Sequence, residues 1–138
     1  MGAIASYIRH TLRQRFNKNK LDFLIYFITS KCDSRCKTCF NFERLNGSDD
    51  LNYDEIEKTT LRIGEFETLL LSGGEPFLRG DLIEVLRLWV KNNKVKKIII
   101  PTNGMQTEMI VRTVRSLLES FPSVDRRASC RERVCLYV

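Results

Sequence analysis

Several things are scarce in this chain. It has one histidine, His10, one tryptophan and three prolines in 138 residues. No apolar run approaches the roughly 18 to 20 residues that a membrane-spanning helix needs, and the longest, 21–29, is only as long as a strand. No apolar segment follows a basic start, so a secretory signal is not expected. The expected setting is cytoplasmic and reducing, where clustered cysteines point to metal binding or catalysis before disulfides. Acids are missing from residues 1–20, which carry Arg9, Arg13, Arg15, Lys18 and Lys20.

That asymmetry decides what the net charge of +6 means. Residues 126–138 add four arginines against Glu132, so the body between the two ends is slightly acidic. A basic stripe able to follow a phosphate backbone is absent from it, and no nucleic-acid partner is expected. Hydrophobic residues at 43% and charged residues at 29% fit one globular domain able to bury a core.

The body alternates between two periodicities. Residues 22–29 form a nearly continuous apolar run, as expected of a strand buried on both faces. After the polar break 46–50, Asn52 with Glu55 makes a capping box for a helix over 53–64. Residues 68–72 read as a second strand, closed by Gly73-Gly74. Asp81 with Glu84 is a second capping box, and Leu82, Val85, Leu86 and Trp89 fall on one core-facing stripe. Asn92-Asn93 can end that helix in the left-handed conformation. Residues 95–101 make a third strand, closed by Thr102-Asn103-Gly104, and Ile110, Val114, Leu117, Leu118 and Phe121 mark a third amphipathic helix. The alternation predicts an α/β fold with parallel strands and right-handed crossovers. In such folds ligands collect beyond the carboxyl ends of the strands, which here end in three cysteines, Gly73-Gly74-Glu75-Pro76 and Thr102-Asn103-Gly104.

The first of those loops reads KCDSRCKTC, with Cys32, Cys36 and Cys39. Three thiolates can hold three corners of a [4Fe-4S] cluster and leave the fourth iron open to a substrate or cofactor. Structural zinc wants a fourth cysteine or histidine, and His10 lies on a separate N-terminal segment. Arg35 and Lys37 between the ligands are expected to favour the thiolate forms. Two glycines let main chain approach a ligand, and a carboxylate can attract an ammonium group.

Cys32-x-x-x-Cys36-x-x-Cys39 after a first strand, followed by Gly73-Gly74-Glu75-Pro76 after a second, resembles the radical S-adenosylmethionine (radical SAM) enzymes over residues 21–121. The resemblance implies the N-terminal half of a partial (β/α)6 TIM-like barrel with three βα units. It implies a [4Fe-4S] cluster on Cys32, Cys36 and Cys39 whose open iron chelates the amino and carboxylate groups of S-adenosyl-L-methionine. Gly73, Gly74, Glu75 and Pro76 would contact that amino group, and Thr102 and Asn103 would lie near the cofactor or substrate. The family often has an aromatic residue before the last cysteine, packed on adenine. Here that residue is Thr38, and Phe40 is the candidate in its place.

The implied function is reductive cleavage of S-adenosyl-L-methionine to a 5′-deoxyadenosyl radical that abstracts hydrogen from substrate. It would serve as an oxidoreductase or maturase in peptide modification or cofactor biosynthesis, with a flavodoxin or ferredoxin as electron donor and a peptide as a candidate substrate. The alternative is a non-catalytic iron-sulfur protein for electron transfer or redox sensing. The expected organisation is a basic amphipathic helix over 1–20, with Ile4, Ile8, Leu12 and Phe16 in register, then an incomplete radical SAM core over 21–124. Residues 125–138, crowded with arginine and cysteine and without periodicity, read as a non-native tail. With half a barrel, the fragment alone is expected to be inactive, and its sheet edges unpaired.

Overall fold

A buried backbone must pair its N–H and C=O groups, and the three apolar runs do so with one another. The computed structural model describes residues 21–130, with side chains over 21–124. The N-terminal helix expected over 1–20 lies outside the described residues. In chain order the elements are β1 (Phe23–Thr29), α1 (Tyr53–Ile63), β2 (Thr68–Gly73), α2 (Leu82–Asn93), β3 (Lys97–Thr102), α3 (Thr107–Ser120) and β4 (Asp125–Cys130). Short 3-10 turns at Phe42–Arg44 and Pro76–Leu78 interrupt the loops. The strands form one parallel sheet in the order β1-β2-β3-β4, alternating with helices as in the first part of a (β/α) barrel.

The register sorts the side chains into two faces. Leu24, Leu69 and Ile98 are neighbours across the sheet on the helix side. With Ile28, Leu71 and Ile100 they meet Ile56 of α1, Val85, Leu86 and Trp89 of α2, and Leu117 of α3. On the other face Phe23, Ile25 and Phe27 are each about half exposed. The expected burial of β1 on both faces therefore holds on one side only, the side turned to the helices. Leu118, placed on the apolar stripe of α3, is also 49% exposed, while Leu117 and Phe121 carry the packing.

Helix ends follow local chemistry, with two departures from expectation. At α1 the capping box forms: Asn52 Oδ1 accepts from the Glu55 amide at 3.0 Å, and Glu55 Oε2 accepts from the Asn52 amide at 2.9 Å. At α2 Asp81 caps nothing; its carboxylate pairs with Arg79 Nε at 2.7 Å, a charge-assisted bond that outcompetes a neutral backbone amide. The left-handed residue after α2 is Lys94, at φ 54°, not an asparagine. Asn93 is instead fully buried, and its Nδ2 donates to the carbonyls of Thr60 at 2.8 Å and Gly64 at 2.6 Å, tying the end of α1 to the end of α2. Asn93→Ala removes both donors and empties the site, and is expected to cost roughly 2–4 kcal/mol in urea denaturation.

Residues 125–130 are the larger departure. They pair parallel to β3, from Asp125 opposite Lys97 to Cys130 opposite Thr102, although they lack strand periodicity. The free edge of β3 offers unpaired main-chain groups, and satisfying those requires an extended backbone rather than an apolar pattern. A fourth strand thus follows the three βα units.

Candidate active site

The parallel sheet brings the three strand-end loops to one edge, and they enclose a shared cavity. Cys32, Cys36, Cys39, Phe40, Gly73, Gly74, Glu75, Thr102 and Asn103 all line it. Pro76 does not; it is buried at the start of a 3-10 turn. The three cysteines form no disulfide, and Cys36 and Cys39 are joined by a turn in which the Cys39 amide donates to the Cys36 carbonyl at 3.1 Å. Among the described residues no three His, Cys, Asp or Glu side chains are gathered as a site for a single metal ion.

The glycines explain how the first two loops touch. A register shift between Phe27 and Thr29 sets Thr29 opposite Gly73 at the end of β2. There the Gly74 amide donates to the Thr29 carbonyl at 2.7 Å, and the Glu75 amide to the Lys31 carbonyl at 2.8 Å. Gly73 has φ 106°, a region that L side chains rarely adopt. A Cβ on Gly74 would sit 2.1 Å from the Lys31 carbonyl oxygen. The missing side chains are what allow the cysteine loop to lie against β2.

Glu75 then ties the second loop to the third. It is 2% exposed; Oε1 accepts from the Phe77 amide at 3.3 Å and Oε2 from the Asn103 amide at 2.7 Å. Burial pushes its pKa above the ordinary 4.5, partly opposed by those amide bonds and by Thr102. The carboxylate expected to attract a ligand's ammonium is thus already engaged with main-chain donors.

Asn103 reaches back to the cysteine loop, where its Nδ2 donates to Asp33 Oδ1 at 2.7 Å and to Ser34 Oγ at 3.0 Å. Gln106 Nε2 donates to the other Asp33 oxygen at 3.0 Å. Phe40 is 70% exposed and meets Phe27 edge to face at 6.0 Å. Arg35 and Lys37 are exposed, and the Cys32 thiol is not favoured toward thiolate as expected. Burial raises its pKa, and the charges of Asp33 and Glu75 add to that, against a lowering contact from the Ser34 backbone.

Sequence reasoning missed the segment after the 3-10 turn, which it treated as a polar break. Asp50 accepts from Thr29 Oγ1 and from the Ser30 amide, both at 2.6 Å. Desolvation pushes the Asp50 carboxyl up, but those hydrogen bonds and the Arg79 guanidinium outweigh it and hold the group below the usual range. Arg79 itself donates to the carbonyls of Ile28 at 2.6 Å and Leu51 at 2.9 Å. The only local signal was the Asn46-Gly47 pair, which marks a turn.

Comparison with known proteins identifies the family. The family described as the Radical SAM superfamily matches residues 26–126. A probable GTP 3′,8-cyclase of Methanococcus maripaludis is 35% identical over 91 residues, covering 64% of this chain and 30% of that protein. The GTP 3′,8-cyclase of Klebsiella pneumoniae subsp. pneumoniae is 31% identical over 91 residues, covering 62% of this chain and 28% of that protein. The chain thus spans less than a third of the length of these curated relatives.

Proposed function

The chain belongs to the radical SAM superfamily, and on that premise we propose that its three strand-end loops hold a [4Fe-4S] cluster and S-adenosyl-L-methionine in an enzyme that generates a substrate radical. The observation that supports this most is the single cavity onto which Cys32, Cys36 and Cys39 open beside Gly73 and Gly74. The donor set fits: three soft thiol ligands on one loop suit a cluster with one open iron. The missing Cβ atoms let the glycine loop pack directly on the cysteine loop, which brings both to one cavity. When bound, the two groups supply one-electron cleavage of the sulfonium and, through a 5′-deoxyadenosyl radical, hydrogen-atom abstraction from substrate.

The chain's own residues bind and orient. Cys32, Cys36 and Cys39 are the cluster ligands, and Phe40, open to the cavity and steadied by Phe27, offers the face for adenine. Gly73, Gly74 and Glu75 line the cofactor's amino-acid end, where the main chain makes the contact because the Glu75 carboxylate is bonded to Phe77 and Asn103. Pro76 acts from behind by setting the turn, and Thr102 and Asn103 close the far side. No helix among the described residues is long and apolar enough to cross a membrane. The electron donor is a flavodoxin or ferredoxin in a reducing compartment, and the reaction belongs to cofactor biosynthesis or peptide modification. The similarity to GTP 3′,8-cyclases supports the shared radical-generating core.

Anaerobic reconstitution with iron and sulfide of an intact version, its barrel complete, tests this reading. The expected result is a cluster whose spectrum changes when S-adenosyl-L-methionine is added, and release of 5′-deoxyadenosine on reduction. Cys32→Ala, Cys36→Ala and Cys39→Ala should each bring that release down to background. A cluster indifferent to S-adenosyl-L-methionine, with no 5′-deoxyadenosine formed, would make the chain an electron carrier or redox sensor instead.

A further inference from the structure

We infer that Asn46 is a positioning residue for the cluster, holding the Cys32 main chain from the side opposite the glycine loop. The inference deepens the proposed function and rests on Cys32 being a cluster ligand. Asn46 Oδ1 accepts from the Cys32 amide at 3.0 Å, and Asn46 Nδ2 donates to the Cys32 carbonyl at 3.2 Å. The Cys32 amide can only donate and its carbonyl can only accept, so the side-chain orientation follows from the partners. One planar amide thus pairs with both polar groups of one residue, as a neighbouring strand would.

The clamp is itself anchored. Asn46 has φ 59°, a left-handed conformation that asparagine tolerates better than most residues, and its own amide donates to the Ser30 carbonyl at 2.8 Å. Just beyond it, Ser30 Oγ donates to the Gly47 carbonyl at 3.0 Å, and Asp50 takes the Ser30 amide. On the opposite side the Glu75 amide holds the Lys31 carbonyl. Cys32 therefore leaves β1 between two supports, and Asn46 is the one that contacts a ligand residue directly. Cys36 and Cys39 lie farther along the loop, in a turn closed by their own backbone bond. Asn46 therefore sets where Cys32 stands relative to that pair.

The test uses the full chain with Asn46→Gly, which keeps the left-handed backbone accessible and deletes only the clamp. Three readouts are needed: hydrogen exchange of the Cys32 amide without cluster, the rate at which a chelator removes iron from the reconstituted protein, and the electron paramagnetic resonance signature of the reduced cluster. The expected result is Cys32 exchange faster by about tenfold, with the amides of β1 paired to β2 unchanged. Iron loss should be several-fold faster and the resonance altered.

If exchange rises while iron retention and resonance match the wild type, Asn46 is merely structural and the inference falls. A wild type that assembles no cluster overturns the proposed function as well, which separates the two failures. Should the glycine variant not fold, Asn46→Asp carries the test. It keeps an acceptor for the Cys32 amide but sets a carboxylate against the Cys32 carbonyl, so it should lose iron faster too; retention equal to wild type would overturn the inference.

Discussion

Gly74→Ala is expected to destabilise the protein by roughly 3 kcal/mol or more, near the upper end for inserted atoms that cannot be accommodated. The new methyl would lie 2.1 Å from the Lys31 carbonyl oxygen, 2.6 Å from its carbon and 2.9 Å from the Ser30 carbonyl oxygen. All three are main-chain atoms, and flexible side chains are not there to move aside. Relief has to come from separating the two loops, which breaks the hydrogen bonds from the Gly74 amide to Thr29 and from the Glu75 amide to Lys31. Since a domain's total stability is about 5–15 kcal/mol, the loss should be plain in urea denaturation and in soluble yield. Gly80→Ala is the control: a Cβ there meets nothing within 4 Å, and the change should be neutral or slightly stabilising. Equal stability of the two variants would mean that the loops are not packed as described.

Glu75→Gln is the second large effect, because it alters the group that joins the β2 and β3 loops. Both carboxylate oxygens accept from backbone amides. A glutamine offers one oxygen and turns an NH2 toward the other amide, so a buried donor loses its partner at a cost of about 1–3 kcal/mol. The pH dependence separates this from simple misfit. Burial raises the Glu75 pKa, so the folded protein holds the proton more tightly than the unfolded chain does. The stability linked to that proton is fully present below the ordinary value of 4.5 and is lost as pH rises through the raised value. Glutamine has no such proton. The gap between wild type and Glu75→Gln should therefore narrow as pH rises through this window, and a gap constant with pH would show that burial does not govern the group.

Periodicity made much of this fold legible. The stripe of Leu82, Val85, Leu86 and Trp89 is buried as its spacing implies, and the capping box at Asn52 forms. The parallel arrangement follows from the alternation of elements, and with it the meeting of the cysteine, glycine and Thr102-Asn103 loops at one end of the sheet. What stayed hidden is the choice of polar partner. Asn103 pairs with Asp33, seventy positions away, and Asn93 with carbonyls of α1 rather than with its own helix end. Such choices depend on which groups the tertiary fold brings within about 3 Å, and spacing along the chain carries no trace of them. Asp81 shows the same limit locally: its pattern matches a cap, yet the guanidinium of Arg79 is a stronger partner than the amide it was expected to take. The strand at 125–130 escaped because an open sheet edge recruits by backbone alone.

The supports of the cysteine loop also impose an order of events on the ribosome. All three thiols leave it before either support does: the Asn46 clamp follows Cys39 by seven residues, and Glu75 follows by thirty-six. At synthesis rates of about 5–20 residues per second, the cysteines spend roughly 2–7 s on a nascent chain without the glycine loop they lean on. Any metal captured in that interval meets flexible thiols rather than the assembled cavity, so loading of the intended group belongs after translation has passed the second strand.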